Sequence, residues 1–213
     1  MALKNKKILI TCGPTWVPID DVRVISNTST GSLGQTIARD LKTAGAKITL
    51  LEGPVKEPIK EKSVKVIKFS YFNELSVLLK KELKKNYDIV IHAAAVSDYK
   101  LTKKLKEKIS SKFKKLKLEL VPTEKLINII KKINDKVFLV GFKLEPKMTK
   151  QVAKKESDSL ISQAKCNLVV ANSNPNKRYC AYILDSGLNI LAKDKTRKSV
   201  SKSLTKVLKE AYL

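Results

Sequence analysis

Residues 88–95 read D-I-V-I-H-A-A-A. The run is apolar without alternation, and a strand requires that only when both of its faces are covered, as in a parallel sheet. Upstream, residues 73–85 put Leu75, Leu78, Leu79 and Leu83 at i, i+3, i+4, i+8, the spacing of an amphipathic helix. Before that, residues 64–69 alternate apolar and basic, residues 48–51 form a short apolar strand, and residues 35–44 a helix with Ile37, Ala38 and Leu41 inward, closed by Gly45. Residues 7–11 are the first strand. Downstream comes a lysine-rich stretch, 100–117. Pro122-Thr123 then starts a helix with Leu126, Ile127, Ile130 and Ile133 inward. Residues 137–142 are a buried strand, 149–164 a helix and 168–171 a strand. A hairpin of 179–184 and 188–192 turns at Asp185-Ser186-Gly187, and a helix over 199–212 carries Val200, Leu204, Val207, Leu208 and Ala211 on one stripe.

Strands alternating with helices predict an α/β fold: a Rossmann-like, doubly wound, mostly parallel sheet with right-handed crossovers. The closing hairpin adds antiparallel strands at one edge. No internal repeat or Gly/Pro/Ser-rich linker divides the 213 residues, so a single domain over 1–213 is expected.

Composition narrows the function. Apolar residues make up 43% and charged residues 30%, enough for a real core and against global disorder. No 18-residue apolar span predicts a membrane helix, and the N-terminus has no secretory core, so a cytoplasmic protein without membrane partners is expected. Cys12, Cys166 and Cys180 make neither a disulfide framework nor a metal knuckle. The 44 basic residues against 20 acidic ones give +24, which favours anionic partners. Only Arg23, Arg39, Arg178 and Arg197 are arginine. Sequence-specific nucleic-acid readers lean on the arginine fork, so the pattern weighs against nucleic acid.

In doubly wound sheets, ligands bind beyond the carboxyl ends of the strands. The first such connection is G-P-T-W-V-P-I-D-D-V-R-V-I-S-N-T-S-T-G-S-L-G, residues 13–34. A dinucleotide fingerprint would pass from strand to helix through G-x-G-x-x-G; this loop is far longer. Nor is it a P-loop, since no Gly-Lys-Ser/Thr ends it. The segment 27–34 still opens a helix with backbone N–H groups, hydroxyls and a positive dipole end, which suits an anion. Plain capping by Ser and Thr is the other reading.

Together these residues resemble the phosphopantothenoylcysteine synthetase (phosphopantothenate–cysteine ligase) family over essentially the whole chain. The resemblance rests on G-x-T-x-x-P-I-D-x-V-R-x-I-S-N-x-S-T-G-x-x-G (13–34), A-A-A-V-S-D-Y (93–99), K-I-S-S (108–111), V-P-T-x-K-L-I (121–127), G-F-K-L-E (141–145) and V-V-A-N (169–172), in order. It implies a two-step ligation. A nucleoside triphosphate activates the carboxylate of 4′-phosphopantothenate as an acyl-nucleotidylate, and the amine of cysteine displaces the nucleotide. It also implies Mg2+, a homodimer with shared sites, and CTP in bacterial members or ATP in eukaryotic ones; K-I-S-S and the compact length lean to CTP.

The resemblance places Gly13, Ser29, Gly31 and Gly34 at the triphosphate, and Phe142 and Asn172 in the nucleotide pocket. Ala94, Ala95 and Asp98 match substrate contacts, Asp98 also facing the nucleotide. Asn27 matches the asparagine beside the activated carbonyl. Arg23 matches an arginine that reaches the substrate of the neighbouring subunit. Lys108 matches the lysine of a mobile basic flap, 100–117, tied to formation and turnover of the intermediate. Asn27 and Lys108 are the expected catalytic residues.

Plainer roles stand beside these. Lys108 is one of nine lysines within 100–117. Asp98 and Asn27 suit turns, Phe142 suits a core, and His92 inside an apolar run suits structure more than general-base work. Cys12 and Cys166 suit small buried hydrophobes. The sequence also departs from the common bacterial pattern: Pro14 where a glycine is usual, Trp16-Val17 for Arg-Glu, Ser32 for lysine, and Lys154, Lys155 and Lys165 out of register. Many members carry a fused flavin-dependent decarboxylase; the opening at the synthetase strand leads us to expect no flavin. Competing readings are an NAD(P)-dependent reductase and a basic nucleic-acid-binding protein.

Overall fold

The computed structural model describes residues 2–103, 107–110, 112, 114–173 and 179–212. The chain starts with β1 (Lys7–Cys12), then a ribbon of β2 (Trp16–Pro18) and β3 (Val24–Ser26), then α1 (Ser32–Thr43), β4 (Lys47–Glu52), β5 (Lys65–Lys68), α2 (Phe72–Leu83) and β6 (Ile89–His92). A second ribbon pairs β7 (Tyr99–Leu101) with β8 (Leu120–Pro122). The remainder is α3 (Leu126–Ile133), β9 (Phe138–Glu145), α4 (Lys150–Ala164), β10 (Leu168–Ser173), β11 (Ala181–Asp185), β12 (Ile190–Asp194) and α5 (Arg197–Glu210).

Eight strands make one sheet in the order β12-β11-β10-β9-β6-β1-β4-β5. Every pair from β5 across to β10 is parallel, and β10–β11–β12 are antiparallel. The chain winds outward from β1 in both directions, so the strand order reverses between β1 and β6. That is the Rossmann-like, doubly wound sheet with its antiparallel edge.

Alternation along β1 explains the two layers. Ile8 and Ile10 face Ile37 and Leu41 of α1 and Val200, Leu204 and Leu208 of α5. Leu9 faces the other way, with Leu75 and Leu79 of α2 and Leu126 and Ile130 of α3. Each fully buried Leu or Ile contributes roughly 1.5–3 kcal/mol by leaving water. The run 88–95 belongs here: Ile89, Val90 and Ile91 are completely buried, divided between the two layers.

Two local readings need correction. Pro122-Thr123 does not start a helix. Pro122 ends β8, and Thr123 is tied to the loop after β6, its N–H donating to the Asp98 carbonyl at 2.9 Å and its hydroxyl to the Ser97 carbonyl at 2.7 Å; α3 begins at Leu126. The long first connection is not all loop, because Trp16 and Val17 pair with Ser26 and Ile25. The remaining shifts are of one to three residues at element ends, as where Thr196, rather than the chain near Ser199, caps α5.

Candidate active site

At the carboxyl end of β1 the chain leaves the sheet through Gly13 and returns at Gly31, the N-cap of α1. Gly31 has φ +72°, a left-handed conformation that favours glycine, and a Cβ there would lie 2.6 Å from Val55 Cγ1. Gly34 lets the helix start press on the strand: its Cβ would lie 2.5 Å from Cys12 Cβ. Gly31 has no side chain with which to cap α1, and the first turn carries no acidic residue. The Ser29 and Thr30 hydroxyls instead accept from the N–H of Gly31 at 3.3 Å and of Ser32 at 3.4 Å. Ser and Thr hydroxyls thus serve the first N–H groups of the helix start, as the plain-capping reading has it. What stands at the strand tip is a helix start whose dipole and inner N–H groups suit an anion.

The loop after β6 lies beside it. Ala95 N–H donates to the Gly13 carbonyl at 2.9 Å, and Thr15 N–H to the Ala95 carbonyl at 3.3 Å. Asn27 reaches across from the first connection, its Nδ2 donating to the carbonyls of Ala95 at 3.1 Å and Val96 at 3.3 Å. Gly13, Asn27, Ser29, Gly31, Ala94 and Ala95 are thus gathered on two adjoining loops at the switch point, with Gly34 in the first turn of α1 beside them. Asp98 stands at the end of the second loop, its exposed carboxylate paired with Lys125 Nζ at 2.5 Å.

Phe142 and Asn172 sit on the neighbouring strands β9 and β10. Phe142 is in register with Val170, so with side chains alternating, Asn172 shares its face two residues further toward the tip. Lys143 turns the other way, into ion pairs with Glu156 at 2.9 Å and Glu145 at 3.4 Å, and the Glu156 carboxylate raises its pKa above the ordinary lysine value.

His92 is buried at the end of β6, its Nδ1 3.0 Å from Thr11 Oγ1, the hydroxyl that also accepts from Ala94 N–H at 3.2 Å. Burial pushes its pKa down to about 4, so it is neutral at physiological pH and anchors the site's floor. Cys12 and Cys166 are buried, and desolvation raises both thiols above their ordinary range; they pack as small hydrophobes.

Arg23, on the β2–β3 turn of the first connection, meets the segment of Lys108 between β7 and β8. Arg23 Nη1 pairs with Asp20 Oδ2 at 2.6 Å and donates to the Ile109 carbonyl at 3.2 Å, next to exposed Lys108. Of the K-I-S-S segment, Ser111 lies outside the described residues, as do 104–106 and 113 of the stretch 100–117. Four residues were given no role by the sequence reading: Asp20, Lys125, and the interlocked pair Thr15 and Ser97. Asp20 three residues before Arg23 was the visible signal of an ion pair; nothing local marks the others.

Fold and site together describe a doubly wound α/β protein with an anion-receptive strand–helix junction at its topological switch point. The chain belongs to the DNA/pantothenate metabolism flavoprotein C-terminal domain family, which matches residues 3–210. It is 37% identical over 173 residues to the coenzyme A biosynthesis bifunctional protein CoaBC of Thermococcus kodakarensis, covering 81% of this chain and 42% of that protein. It spans about half the length of the curated relatives it matches. The crystal structure of the DNA/pantothenate metabolism flavoprotein from Streptococcus pneumoniae superposes with a TM-score of 0.86 at 25% identity, over 98% of this chain and all of that one. A Cab2 point mutant in complex with phosphopantothenate-cysteine shares the fold, with a TM-score of 0.75 at 17% identity over 98% of this chain and 88% of that one.

Proposed function

We propose that this chain is the phosphopantothenate–cysteine ligase module of coenzyme A biosynthesis. In this reading a nucleoside triphosphate, CTP with ATP as the alternative, seats its phosphates at the start of α1 and activates the carboxylate of 4′-phosphopantothenate; cysteine then forms the amide. A carboxylate does not accept an amine at neutral pH without a better leaving group. The chain's task is to hold two anions side by side and stabilise charge at the α-phosphate.

The single observation that carries the reading is the glycine-capped start of α1 held against the end of β1, with the Ala94–Ala95 loop hydrogen-bonded to Gly13. The small side chains there leave room for a ligand along the backbone. Among the described residues Asn27 spends its Nδ2 on two carbonyls; its Oδ1 is the atom offered to an approaching amine. Lys108, on the basic flap, supplies the cation for the α-phosphate. Mg2+ enters with the nucleotide as substrate. Among the described residues no three His, Cys, Asp or Glu side chains gather to hold a metal, and Mg2+ is commonly carried by phosphate oxygens and water.

We read the assembly as a homodimer. Val22, Val24 and Ile25 of the first ribbon region and Tyr99 and Leu120 of the second expose large apolar side chains, a cost that a second copy would remove. Among the described residues no helix is long and apolar enough to cross a membrane. The test is pyrophosphate release with 4′-phosphopantothenate, cysteine and either CTP or ATP. Formation of phosphopantothenoylcysteine with one of them supports the reading; absence with both overturns it.

A further inference from the structure

The β2–β3 turn carries a buried carboxylate for which the proposed chemistry has no use. Asp20 is only 3% exposed. Its two oxygens do different work. Oδ1 accepts from the N–H of Val22 at 2.9 Å and of Arg23 at 2.8 Å, closing the turn locally. Oδ2 accepts from Arg23 Nη1 at 2.6 Å and from Ile109 N–H at 3.0 Å, across 89 residues of chain. The same Nη1 passes on to the Ile109 carbonyl at 3.2 Å. One ion pair therefore holds both backbone polar groups of Ile109. Turns are ordinarily closed by one Asx oxygen; the second oxygen and the guanidinium are free to serve a distant segment.

Ile109 directly follows Lys108. Lys108 is exposed and belongs to a stretch rich in cations, so its charge alone does not locate it. A residue fixed at both its N–H and its C=O does fix its neighbour's Cα. We propose that Asp20 is a positioning residue: through the backbone of Ile109 it sets where Lys108 stands. The proposal rests on the reading of Lys108 given above. The Ile109 N–H is also the leading cause that holds the Asp20 carboxyl down at about 2, well below the ordinary value, so the anchor stays charged throughout the working range.

The two oxygens allow a clean experiment. In Asp20→Asn the amide oxygen keeps the two turn N–H groups, while the amide NH2 faces Arg23 and Ile109, donor against donor. Three quantities are compared with wild type: CTP affinity by calorimetry, kcat for pyrophosphate release, and amide hydrogen exchange at Val22, Arg23 and Ile109. The expected result is kcat lower by about ten- to a hundredfold, as for a small misplacement of a catalytic group, with CTP affinity kept. Exchange speeds up at Ile109 but not at Val22 or Arg23. A second protein, with an ester oxygen in place of the Ile109 N–H, leaves the Asp20–Arg23 pair and its turn whole and should lose kcat in the same way. Wild-type kcat in the ester protein, or unchanged Ile109 exchange in Asp20→Asn, overturns the proposal. If wild type itself forms no product, the reading of the function fails, and Ile109 exchange alone decides whether the latch exists.

Discussion

Thr15 and Ser97 hold each other by three hydrogen bonds. Ser97 N–H donates to Thr15 Oγ1 at 2.9 Å, that hydroxyl donates to Ser97 Oγ at 3.1 Å, and Ser97 Oγ donates to the Thr15 carbonyl at 3.1 Å. Both residues are buried. The loop leaving β1 and the loop leaving β6 are thereby one unit, and the candidate site lies on that unit. Thr15→Val keeps the shape but strands the Ser97 N–H, a loss of about 1–3 kcal/mol. Urea unfolding should show it, and turnover should fall further than stability alone explains. Wild-type stability and turnover would mean that the two loops do not depend on each other.

Gly34→Ala tests the seat of the helix. The new Cβ would meet Cys12 Cβ at 2.5 Å, against the 3.5–4.0 Å that carbon atoms prefer. Both atoms are fixed to backbone, so α1 must back away from β1. We expect a cost of about 1–3 kcal/mol and weaker CTP binding by calorimetry. If the variant binds CTP as tightly as wild type, the contact does not build the cradle.

The pH dependence of stability should carry the signature of His92. In the folded chain it titrates near 4 and, unfolded, near its ordinary 6.5. The unfolded state therefore takes up the proton first, and stability falls as the pH drops from about 6.5 toward 4. The full effect is about 3 kcal/mol. Thermal unfolding between pH 7 and 5 should be markedly flatter for His92→Asn, which can still meet the Thr11 hydroxyl. An equal slope in both proteins would show that another group is responsible.

The exposed ribbons give a prediction about assembly. Light scattering should report twice the chain mass, and charge introduced at Val24→Asp with Ile25→Lys should return it to the monomer, with turnover lost if sites are shared. A monomeric wild type that is fully active would contradict this.

Regular elements were readable because their signal is periodic. Leu75, Leu79 and Leu83 announce α2, and the unbroken Ile89-Val90-Ile91 announces a strand with two covered faces. The ribbons were not readable. β2, β3, β7 and β8 are three residues each, too short for alternation to show, and they are held by pairing across the fold. Pro122 looked like a helix start because proline favours the first turn; its pairing with Tyr99 and the hydrogen bonds of Thr123 to Ser97 and Asp98 override that local preference. The glycines at the strand tip were legible from the motif, whereas the work of Asp20 was not, since its decisive partner lies 89 residues away. Lys125 was visible only as a letter in V-P-T-x-K-L-I; its pairing with Asp98 needs the fold.

The most direct test of the central claim is a single-turnover experiment without cysteine. Enzyme, CTP and 4′-phosphopantothenate are mixed, pyrophosphate is counted, and cysteine is added afterwards; ATP is run in parallel. The account predicts close to one pyrophosphate per active site before cysteine, and release of the nucleoside monophosphate only after it. No pyrophosphate with either nucleotide, or monophosphate freed at full rate without cysteine, would contradict it.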